Sequence, residues 1–490
     1  MNWYGIILNG IRFIRVGFVI TEITVAYISF RFRIAFSNSP NYLRDACATF
    51  LEYSGKRLSM LFLRNGGYQV KFGQCIASMN PMMIPREFSA QFCVCFEECV
   101  SAPFETIWKM VQEELCDSHM SQSLSKLPLA SGSICQVHLT NTYQTASPDN
   151  DCLHVMKIQH ANARMNLHMD CIIIQYILHT VSNLMNTGVL RQLHTIAKLA
   201  CKQELDLRTE VKNAEMLQEL LNKSSVSDRL IGVVSVPEFV PSLCKERVSV
   251  QAYIHDAVSF RRENVEIMIN DGISVENVII DLCVIISELM FVHGYMHCDL
   301  HCGNILVRKS VQKNQHEIIL IDHGLHHQID SEMRVKVASL WAAIMTKDDA
   351  FINKFASSYG IPEEDIPFII TAISGVPAST DGESIHDGAG RAYIAAIMRI
   401  RAKLPSEFDI PLRVTDLLMN IQMSMSSGTQ CATTRRRVLE ILTLYASAGG
   451  GLLSMLRNKP ASCVRGNSIE SRTNTSTKTH DELLKCFMGF

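Results

Sequence analysis

The sequence predicts an α+β fold in which a short strand-rich region lies between two helical regions. Apolar residues recur at helical spacing over residues 41–125 and again after residue 331. Between them the chain carries short runs rich in β-branched residues, and the first of these begins near residue 130. A chain of 490 residues that is 47% hydrophobic and 19% charged can bury a core large enough for such a fold.

Charge and cysteine content exclude two classes of protein. Lys and Arg number 46, Asp and Glu number 48, and the formal net charge is −2, so we expect no nucleic-acid partner. The 17 cysteines show no regular spacing, and a chain of this length does not need disulfides to fold. We therefore expect free thiols in a reducing compartment.

The first 36 residues are apolar and basic. Basic residues outnumber acidic ones: Arg12, Arg15, Arg31 and Arg33 against Glu22. The uncharged runs over residues 16–21 and 23–30 are shorter than the roughly 18 residues that a spanning helix requires, so we do not expect one here. Three interpretations stay open: an organellar presequence, a helix anchored on a membrane surface, and the first helix of the fold.

The strand-rich region begins with a predicted β-hairpin, formed by SICQVHLT and LHVMKIQ around the polar loop NTYQTASPDND. Residues 162–222 are predicted to be helical, and RVSVQAYI to be a further strand. Residues 277–292 form an apolar run without Pro or Gly, which indicates a buried helix. NILVRK and EIILID follow as two more strands, and we expect residues 457–481 to be disordered.

The most informative stretch is HGYMHCDLHCGNILVRK, followed by IDHG at the end of the next predicted strand. Asp299 precedes Asn304 by five residues in it, and Asp322 opens the D-H-G triplet. In the protein-kinase pattern H-R-D-x-x-x-x-N and D-F-G, the first Asp orients or deprotonates the acceptor hydroxyl, while the Asn and the second Asp hold Mg²⁺. The pattern predicts phosphoryl transfer from ATP, with Asp299 catalytic and Asn304 and Asp322 as Mg²⁺ ligands.

The same chemistry needs a cation for the α- and β-phosphates and an acid that holds this cation. Lys157 lies in the strand-like run LHVMKIQ, and Glu210 lies in a predicted helix further along the chain. We assign the phosphate-covering loop to a short stretch upstream of Lys157: Ala130, Ser131, Gly132 and Ser133. Its single glycine makes this loop a weak signal by itself, because backbone amides approach a phosphate most freely at glycines.

A zinc site is the alternative interpretation of the central stretch. His and Cys residues recur there every four residues, a spacing that would present ligands along one helix face: His293, His297 and His301, with Cys298 and Cys302. Gly294, Gly303 and the β-type run that follows predict that no continuous helix covers residues 293–302. The spacing then does not align the ligands.

Taken together, these motifs resemble the aarF-domain (UbiB, or ADCK) family of atypical kinases. The family's K-x-G-Q and E-x-D motifs are both present: Lys71, Gly73 and Gln74, then Glu204 and Asp206. Its loop H-x-D-P-H-P-G-N corresponds to residues 297–304. The D-H-G version of the last triplet is most similar to the aarF domain-containing kinase 1 subgroup, and the combination of motifs is highly specific.

The resemblance implies a two-lobed protein-kinase-like fold with a helical N-terminal extension and a helical C-terminal region. It also implies that Lys71 pairs toward Glu204 and that the extension covers the usual protein-substrate cleft, which suits ATP hydrolysis or a small lipid-like substrate. Mg²⁺ and ATP, or ADP, are the implied cofactors, and a lipid or membrane surface is a further implied partner. The implied setting is mitochondrial lipid or coenzyme Q homeostasis. A nucleotide-binding scaffold or pseudokinase on an organellar membrane, with little turnover, is the alternative function.

Three departures from the family pattern bear on activity. Ser131 and Gly132 replace alanines of the loop, and Leu300 and Cys302 replace prolines of the catalytic loop. Ala252 takes the place of an acidic residue at the expected hinge. We still expect an active enzyme, because the four residues that handle ions are all present: Lys157, Asp299, Asn304 and Asp322.

The expected organisation has five parts, which follow shifts in composition and the limits of the resemblance. They are an N-terminal amphipathic or helical segment (1–65), the K-x-G-Q extension (66–125), the kinase-like core (126–345), a helical C-terminal region (346–456) and a polar tail (457–490). The core carries every residue to which a catalytic, nucleotide-binding or metal-binding role is assigned.

Overall fold

The computed structural model places helices on both sides of a strand-rich middle part. The described residues are 3–36, 40–79, 84–96, 99–115, 124–141, 153–161, 163–181, 188–223, 233–310, 316–374, 396, 399–400, 403–426 and 429–447. The helices are α1 (Trp3–Ala35), α2 (Pro40–Asn65), α3 (Tyr68–Ala77), α4 (Arg86–Ser89), α5 (Phe104–Leu115), α6 (Ala163–Val181), α7 (Gly188–Glu204), α8 (Leu207–Lys223), α9 (Val265–Asn270), α10 (Val275–Ser287), α11 (Ser331–Thr346), α12 (Asp349–Ser358), α13 (Ile366–Ser374), α14 (Asp409–Met425) and α15 (Thr429–Ser447). The strands are β1 (Ala130–Ser131), β2 (Cys135–Asn141), β3 (Leu153–Gln159), β4 (Val234–Ser235), β5 (Val248–Ala252), β6 (Val258–Ser259), β7 (Tyr295–His297), β8 (Ile305–Lys309), β9 (His316–Leu320) and β10 (His326–Gln328).

The chain divides into two compact units. The first unit is drawn from Met1–Ala214, Pro237–His255 and His323–Leu325. The second unit is drawn from Glu215–Val236, Asp256–Asp322 and His326–Phe490. The D-H-G triplet is therefore divided, since Asp322 belongs to the second unit and the two residues after it belong to the first.

The first unit contains a four-stranded antiparallel sheet in the order β1-β2-β3-β5. Strands β2 and β3 form the hairpin that the sequence predicts, with Val137 opposite Lys157. Side chains alternate between the two faces of a strand. Met156 and Ile158 pack into an apolar core with residues of α5, so Lys157 lies on the opposite face of the sheet. The polar loop between the two strands, from residue 142 onward, lies outside the described residues.

Aromatic side chains fill the helical part of the first unit. Phe62 of α2 and Phe72 of α3 are buried together with Phe92, which lies in a 3₁₀ turn over Ala90–Phe96. A Cβ atom on Gly73 would stand 2.7 Å from the Sγ of Cys95 and 3.3 Å from both Phe62 and Phe92. Only glycine allows α3 to pack this closely.

Helix α1 has two apolar faces. One face is buried and includes Val16, Ile20 and Ile23. The other face is exposed, and its apolar residues recur at intervals of three, four or seven: Ile7, Ile11, Ile14, Phe18, Val25, Ile28 and Phe32. The segment Gly10–Ala35 has a mean hydropathy of 1.6 and is long and apolar enough, by length and composition alone, to cross a membrane. The sequence prediction counted only the uncharged runs, whereas one helix continues through the arginines and is therefore longer.

The second unit contains a four-stranded sheet in the order β4-β9-β8-β6 and a two-stranded sheet of β7 and β10. NILVRK and EIILID form β8 and β9, which are antiparallel with Ile305 opposite Leu320. The predicted buried helix is α10, and it continues as a wider π-helical turn over Glu288–His293. Gly294 ends this turn with a φ of 67°, and a Cβ atom there would stand 2.9 Å from the carbonyl oxygen of Ile329.

The predicted α+β class, with helices on both sides of the strands, is confirmed. The RVSVQAYI run forms β5, which pairs with β3. Residues 457–481, predicted to be disordered, lie outside the described residues.

Candidate active site

Lys157 and Glu210 form an ion pair in the first unit. Lys157 extends from β3 and its Nζ atom lies 2.9 Å from Oε1 of Glu210, which is in the first turn of α8. The same carboxylate oxygen accepts a hydrogen bond from the backbone N–H of His323 at 3.2 Å. The side-chain amide of Asn213, one turn further along α8, donates to the carbonyl of His323 at 2.8 Å. Helix α8 therefore holds both the lysine and the backbone of His323.

The loop over residues 130–133 is short and tightly bonded. Strand β1 pairs Ala130 with Val137 of β2, and the N–H of Gly132 donates to the carbonyl of Cys135 at 2.8 Å. Ser133 is buried. Among the described residues, the buried hydroxyl of Ser131 has no hydrogen-bond partner. A buried polar atom without a partner is costly, so this hydroxyl is suited to a bound polar group.

The K-x-G-Q and E-x-D residues are joined by a second ion pair in the first unit. Lys71 of α3 places its Nζ atom 2.6 Å from Oε1 of Glu204 at the end of α7, and both side chains are largely removed from water. Gln74 donates from its side-chain amide to the carbonyl of Cys95 at 2.9 Å. Asp206 accepts two hydrogen bonds from the guanidinium of Arg208, at 2.9 and 2.8 Å, which lowers the pKa of Asp206. Asp206 therefore stabilises the first turn of α8.

The second unit brings Asp299, Asn304 and Asp322 together. The side-chain amide nitrogen of Asn304 donates to the carbonyl of Asp299 at 3.0 Å, and the backbone N–H of Asp299 donates to Nδ1 of His297 at 3.3 Å. The N–H of Ile321 donates to the carbonyl of Asn304 at 3.0 Å. This last bond extends the ladder between β8 and β9 and places Asn304 beside the residue that precedes Asp322.

Two local features of this loop indicate a functional site. Asp322 has a φ of 63°, in the left-handed region that residues other than Gly rarely adopt. Burial lowers the pKa of His297 to about 4, although the carboxylates of Asp299 and Asp322 act in the opposite direction. The imidazole of His297 is therefore neutral at neutral pH, and its Nδ1 atom can accept the hydrogen bond from Asp299.

A family model described as the ABC1 atypical kinase-like domain matches residues 95–356, which is more than half of the chain. The chain belongs to the ABC1 atypical kinase-like family. This match confirms the resemblance to aarF-domain kinases, and its residues include the Lys157–Glu210 pair and the loop that carries Asp299 and Asn304.

Curated relatives of this ABC1 kinase-like chain carry related names. It is similar to AarF domain-containing protein kinase 1 of Xenopus laevis, with 29% identity over 387 residues that cover 76% of this chain and 71% of the relative. It is also similar to AarF domain-containing protein kinase 1 of Mus musculus, with 24% identity over 442 residues that cover 87% of this chain and 80% of the relative. A solved structure described as "The complex structure of Rv3197-erythromycin from Mycobacterium tuberculosis" matches with a TM-score of 0.42 and 18% identity, covering 82% of this chain and 95% of that chain.

One charged residue near Asp299, Arg413, was not predicted from the sequence. Arg413 lies on α14, outside the residues matched by the ABC1 kinase-like model, and its Nε atom donates to the carbonyl of Cys298 at 3.0 Å. No motif links position 413 to position 299, so the sequence does not reveal this residue. The only signal was the loose similarity of the residues that follow it, V-T-D-L-L, to the family.

The residues of the zinc alternative do not share a helix. His297 lies on β7, while His293 ends the π-helical turn before it. The Nδ1 atom of His301 accepts from the N–H of Gly303 at 3.0 Å, and the thiol of Cys302 faces Ser424 with its Sγ 3.5 Å from Oγ. A β-strand therefore interrupts the four-residue spacing on which this alternative depends.

Proposed function

We propose that this ABC1 atypical kinase-like protein binds Mg²⁺-ATP and transfers or hydrolyses the γ-phosphoryl group. The observation that carries the proposal is the ion pair between Lys157 and Glu210, because Glu210 also binds the backbone N–H of His323. One carboxylate thus holds the proposed phosphate-binding cation and the residue adjacent to a proposed metal ligand. An ion pair with only a structural role would not need this link to the D-H-G triplet.

Asn304 and Asp322 are the proposed Mg²⁺ ligands. Their side chains offer amide and carboxylate oxygens, the atoms that Mg²⁺ prefers. The hydrogen bond from Asn304 to Asp299 uses the amide nitrogen, which leaves the amide oxygen as the atom able to bind a metal. When bound, Mg²⁺ neutralises the charge that develops on the phosphate oxygens.

Lys157 and the loop over residues 130–133 are proposed to hold the phosphates of ATP or ADP. Lys157 supplies a cation held in place by Glu210, and Ser131 supplies a buried hydroxyl that can donate to a phosphate oxygen. The carboxylate of Asp299 would orient the acceptor hydroxyl or water and accept its proton.

We propose water or a small lipid-like molecule as the acceptor, acting in mitochondrial lipid or coenzyme Q homeostasis. The resemblance to aarF-domain kinases supports this setting. The ion pair between Lys71 and Glu204, which the same resemblance implies, holds α3 of the K-x-G-Q extension against α7. The five-part division of the chain, with residues 126–345 as the kinase-like core, is part of the same proposal.

A hydrolysis assay separates an enzyme from a nucleotide-binding scaffold. We expect purified protein to hydrolyse ATP only with Mg²⁺, and Asp322→Ala to lower the rate by about 100-fold or more. Asp299→Ala is expected to lose turnover but to keep thermal stabilisation by nucleotide, since its carboxylate is assigned to the acceptor. Stabilisation of the wild-type protein by nucleotide without any turnover would favour the scaffold.

A membrane surface is the proposed partner of the exposed apolar face of α1. Arg15, Arg31 and Arg33 are exposed on the same helix, and basic residues beside an apolar face are typical of helices that bind anionic lipids. The opposite face is held to the rest of the first unit by the buried ion pair between Arg12 and Asp170. A helix fixed in this way would lie on the bilayer rather than cross it.

Vesicle binding tests this part of the proposal. We expect the protein to sediment with vesicles that contain an anionic phospholipid and to bind vesicles of phosphatidylcholine alone more weakly. Phe18→Asp with Phe32→Asp should abolish sedimentation, whereas Ile269→Asp, at an exposed isoleucine of α9, should not. Equal sedimentation of all three proteins would contradict a role for α1.

A further inference from the structure

Helix α14 contacts the loop that carries Asp299 at two points. Arg413 donates from Nε to the carbonyl of Cys298, and three turns later Ser424 lies 3.5 Å from the thiol of Cys302. Positions 413 and 424 lie on the same face of a helix, because eleven residues make about three full turns. The two contacts therefore show that this edge of α14 runs along the proposed catalytic loop.

The guanidinium of Arg413 also reaches the side chain of Asp299. Its Nη2 atom lies 3.9 Å from Oδ1 of Asp299, and the two side chains are only 14% and 16% exposed. This distance is within ion-pair range but beyond hydrogen-bond reach. At this distance Nη2 attracts Oδ1 through charge rather than through a hydrogen bond.

Three of the described hydrogen bonds act on the backbone of Asp299. Asn304 and His301 donate to its carbonyl, and its own N–H donates to His297. These bonds fix the path of the main chain at Asp299, whereas the ion pair with Arg413 acts on its side chain. The ion pair with Arg413 favours the rotamers that point the carboxylate toward α14.

Arg413 is itself well placed to act as a fixed support. Its neighbours Val414, Leu417 and Leu418 are buried, so the first turns of α14 cannot shift easily. Its Nε bond to Cys298 fixes the plane of the guanidinium at the residue before Asp299. The position of the cation is therefore set by both the helix and the loop.

We propose that Arg413 is a positioning residue that orients the carboxylate of Asp299 for the acceptor, so that the C-terminal helical region contributes to the active site. This inference rests on the proposed phosphoryl-transfer function. It extends that function to a helix that lies beyond the residues matched by the ABC1 kinase-like model. Arg413 does not contact the nucleotide in this account, so its loss should affect turnover rather than nucleotide affinity.

The test compares Arg413→Met and Arg413→Lys with the wild-type protein in an ATP turnover assay. We expect Arg413→Met to lower kcat on the order of 10- to 100-fold, the usual effect of a small misplacement of a catalytic group. The KM for Mg²⁺-ATP should change by less than about threefold. Arg413→Lys should recover part of the lost kcat, because it keeps the cation but not the planar fork. Arg436→Met, at an exposed arginine of α15 that pairs with Glu440, is the matched control and should leave kcat unchanged.

A double-mutant cycle with Asp299→Asn separates positioning from a general structural effect. If Arg413 acts through Asp299, adding Arg413→Met to Asp299→Asn should lower single-turnover rates by less than about threefold further. Multiplicative losses in the double variant, or an unchanged kcat in Arg413→Met, would overturn the proposal while leaving the phosphoryl-transfer function intact. Absence of any Mg²⁺-dependent turnover in the wild-type protein would overturn both.

Discussion

The two lysine–glutamate pairs of the first unit have similar geometry but opposite exposure. In the pair of Lys71 and Glu204 the side chains are 5% and 14% exposed, so the more open group is the carboxylate. In the pair of Lys157 and Glu210 the values are 20% and 2%, so the more open group is the ammonium. The pair of Lys157 and Glu210 therefore presents positive charge to solvent, whereas the pair of Lys71 and Glu204 presents none. This difference in exposure indicates that Lys71 and Glu204 join two helices, while Lys157 is able to bind an anion.

Lys157→Met is expected to have the largest effect on activity. Loss of the cation should lower kcat/KM for Mg²⁺-ATP on the order of 100- to 1000-fold, because a preorganised charge at the phosphates is removed. The equivalent change at the other pair, Lys71→Met, should alter kcat/KM of the folded fraction by less than about tenfold. Steady-state ATP turnover at equal concentrations of folded protein measures both. Equal losses in the two variants would remove the distinction between the pairs.

Lys71→Met is expected to have the larger effect on stability. It leaves the carboxylate of Glu204 largely buried without its cation, which should lower the free energy of unfolding by about 3 kcal/mol. The double variant Lys71→Met with Glu204→Met should recover most of this loss, since no buried charge remains. Urea unfolding measures the three proteins. A single variant as stable as the wild type would contradict a structural role for this pair.

A buried histidine next to the Lys71 helix predicts the pH dependence of stability. Burial lowers the pKa of His194 to about 4, and its Nδ1 atom lies 2.7 Å from the hydroxyl of Tyr68. The unfolded chain, in which a His pKa is about 6.5, binds a proton that the folded chain excludes, so the free energy of unfolding falls as the pH drops from about 6.5 to about 4.

The expected size of this loss is at most about 3 kcal/mol, which is the free-energy equivalent of the full pKa shift. The loss should be absent above pH 6.5 and should shrink in His194→Gln, whose side chain does not titrate. Urea unfolding of both proteins at several pH values measures it. An identical decline in both proteins would show that other groups cause it.

The smallest effect is expected at the exposed pair of Asp206 and Arg208. Arg208→Gln removes two side-chain hydrogen bonds at a solvated site, so the free energy of unfolding should change far less than in Lys71→Met. This variant serves as the reference for the buried pairs in the same urea series. A loss as large as that of Lys71→Met would mean that burial does not explain the difference between the pairs.

Much of the fold follows from local patterns, and the ends of elements follow less well. The hairpin of β2 and β3 could be predicted because two β-branched runs flank a polar loop, and their pairing places Lys157 opposite Val137. The apolar run at residues 277–292 predicts a buried helix, but not the change to a π-helical turn at Glu288. The apolar length of α1 could not be judged from its uncharged runs, because arginines within a helix divide these runs without ending the helix.

The candidate site could be predicted where its residues share a motif. The catalytic loop and the D-H-G triplet are close in the sequence, and the five-residue spacing of Asp299 and Asn304 matches the protein-kinase pattern. Arg413 could not be found in this way, because it comes from a helix more than a hundred residues away and only folding places it beside Cys298. The roles assigned to these residues stay predictions until they are measured.

Calorimetric titration with ATP measures binding at the proposed nucleotide site without any knowledge of the acceptor. We expect the wild-type protein to bind ATP in the presence of Mg²⁺, and we expect Lys157→Met and Asp322→Ala each to weaken binding by about tenfold or more, equal to about 1.4 kcal/mol. Arg436→Met should bind as the wild type does. Failure of the wild-type protein to bind ATP, or equal binding by all four proteins with and without Mg²⁺, would contradict the proposed binding of Mg²⁺-ATP.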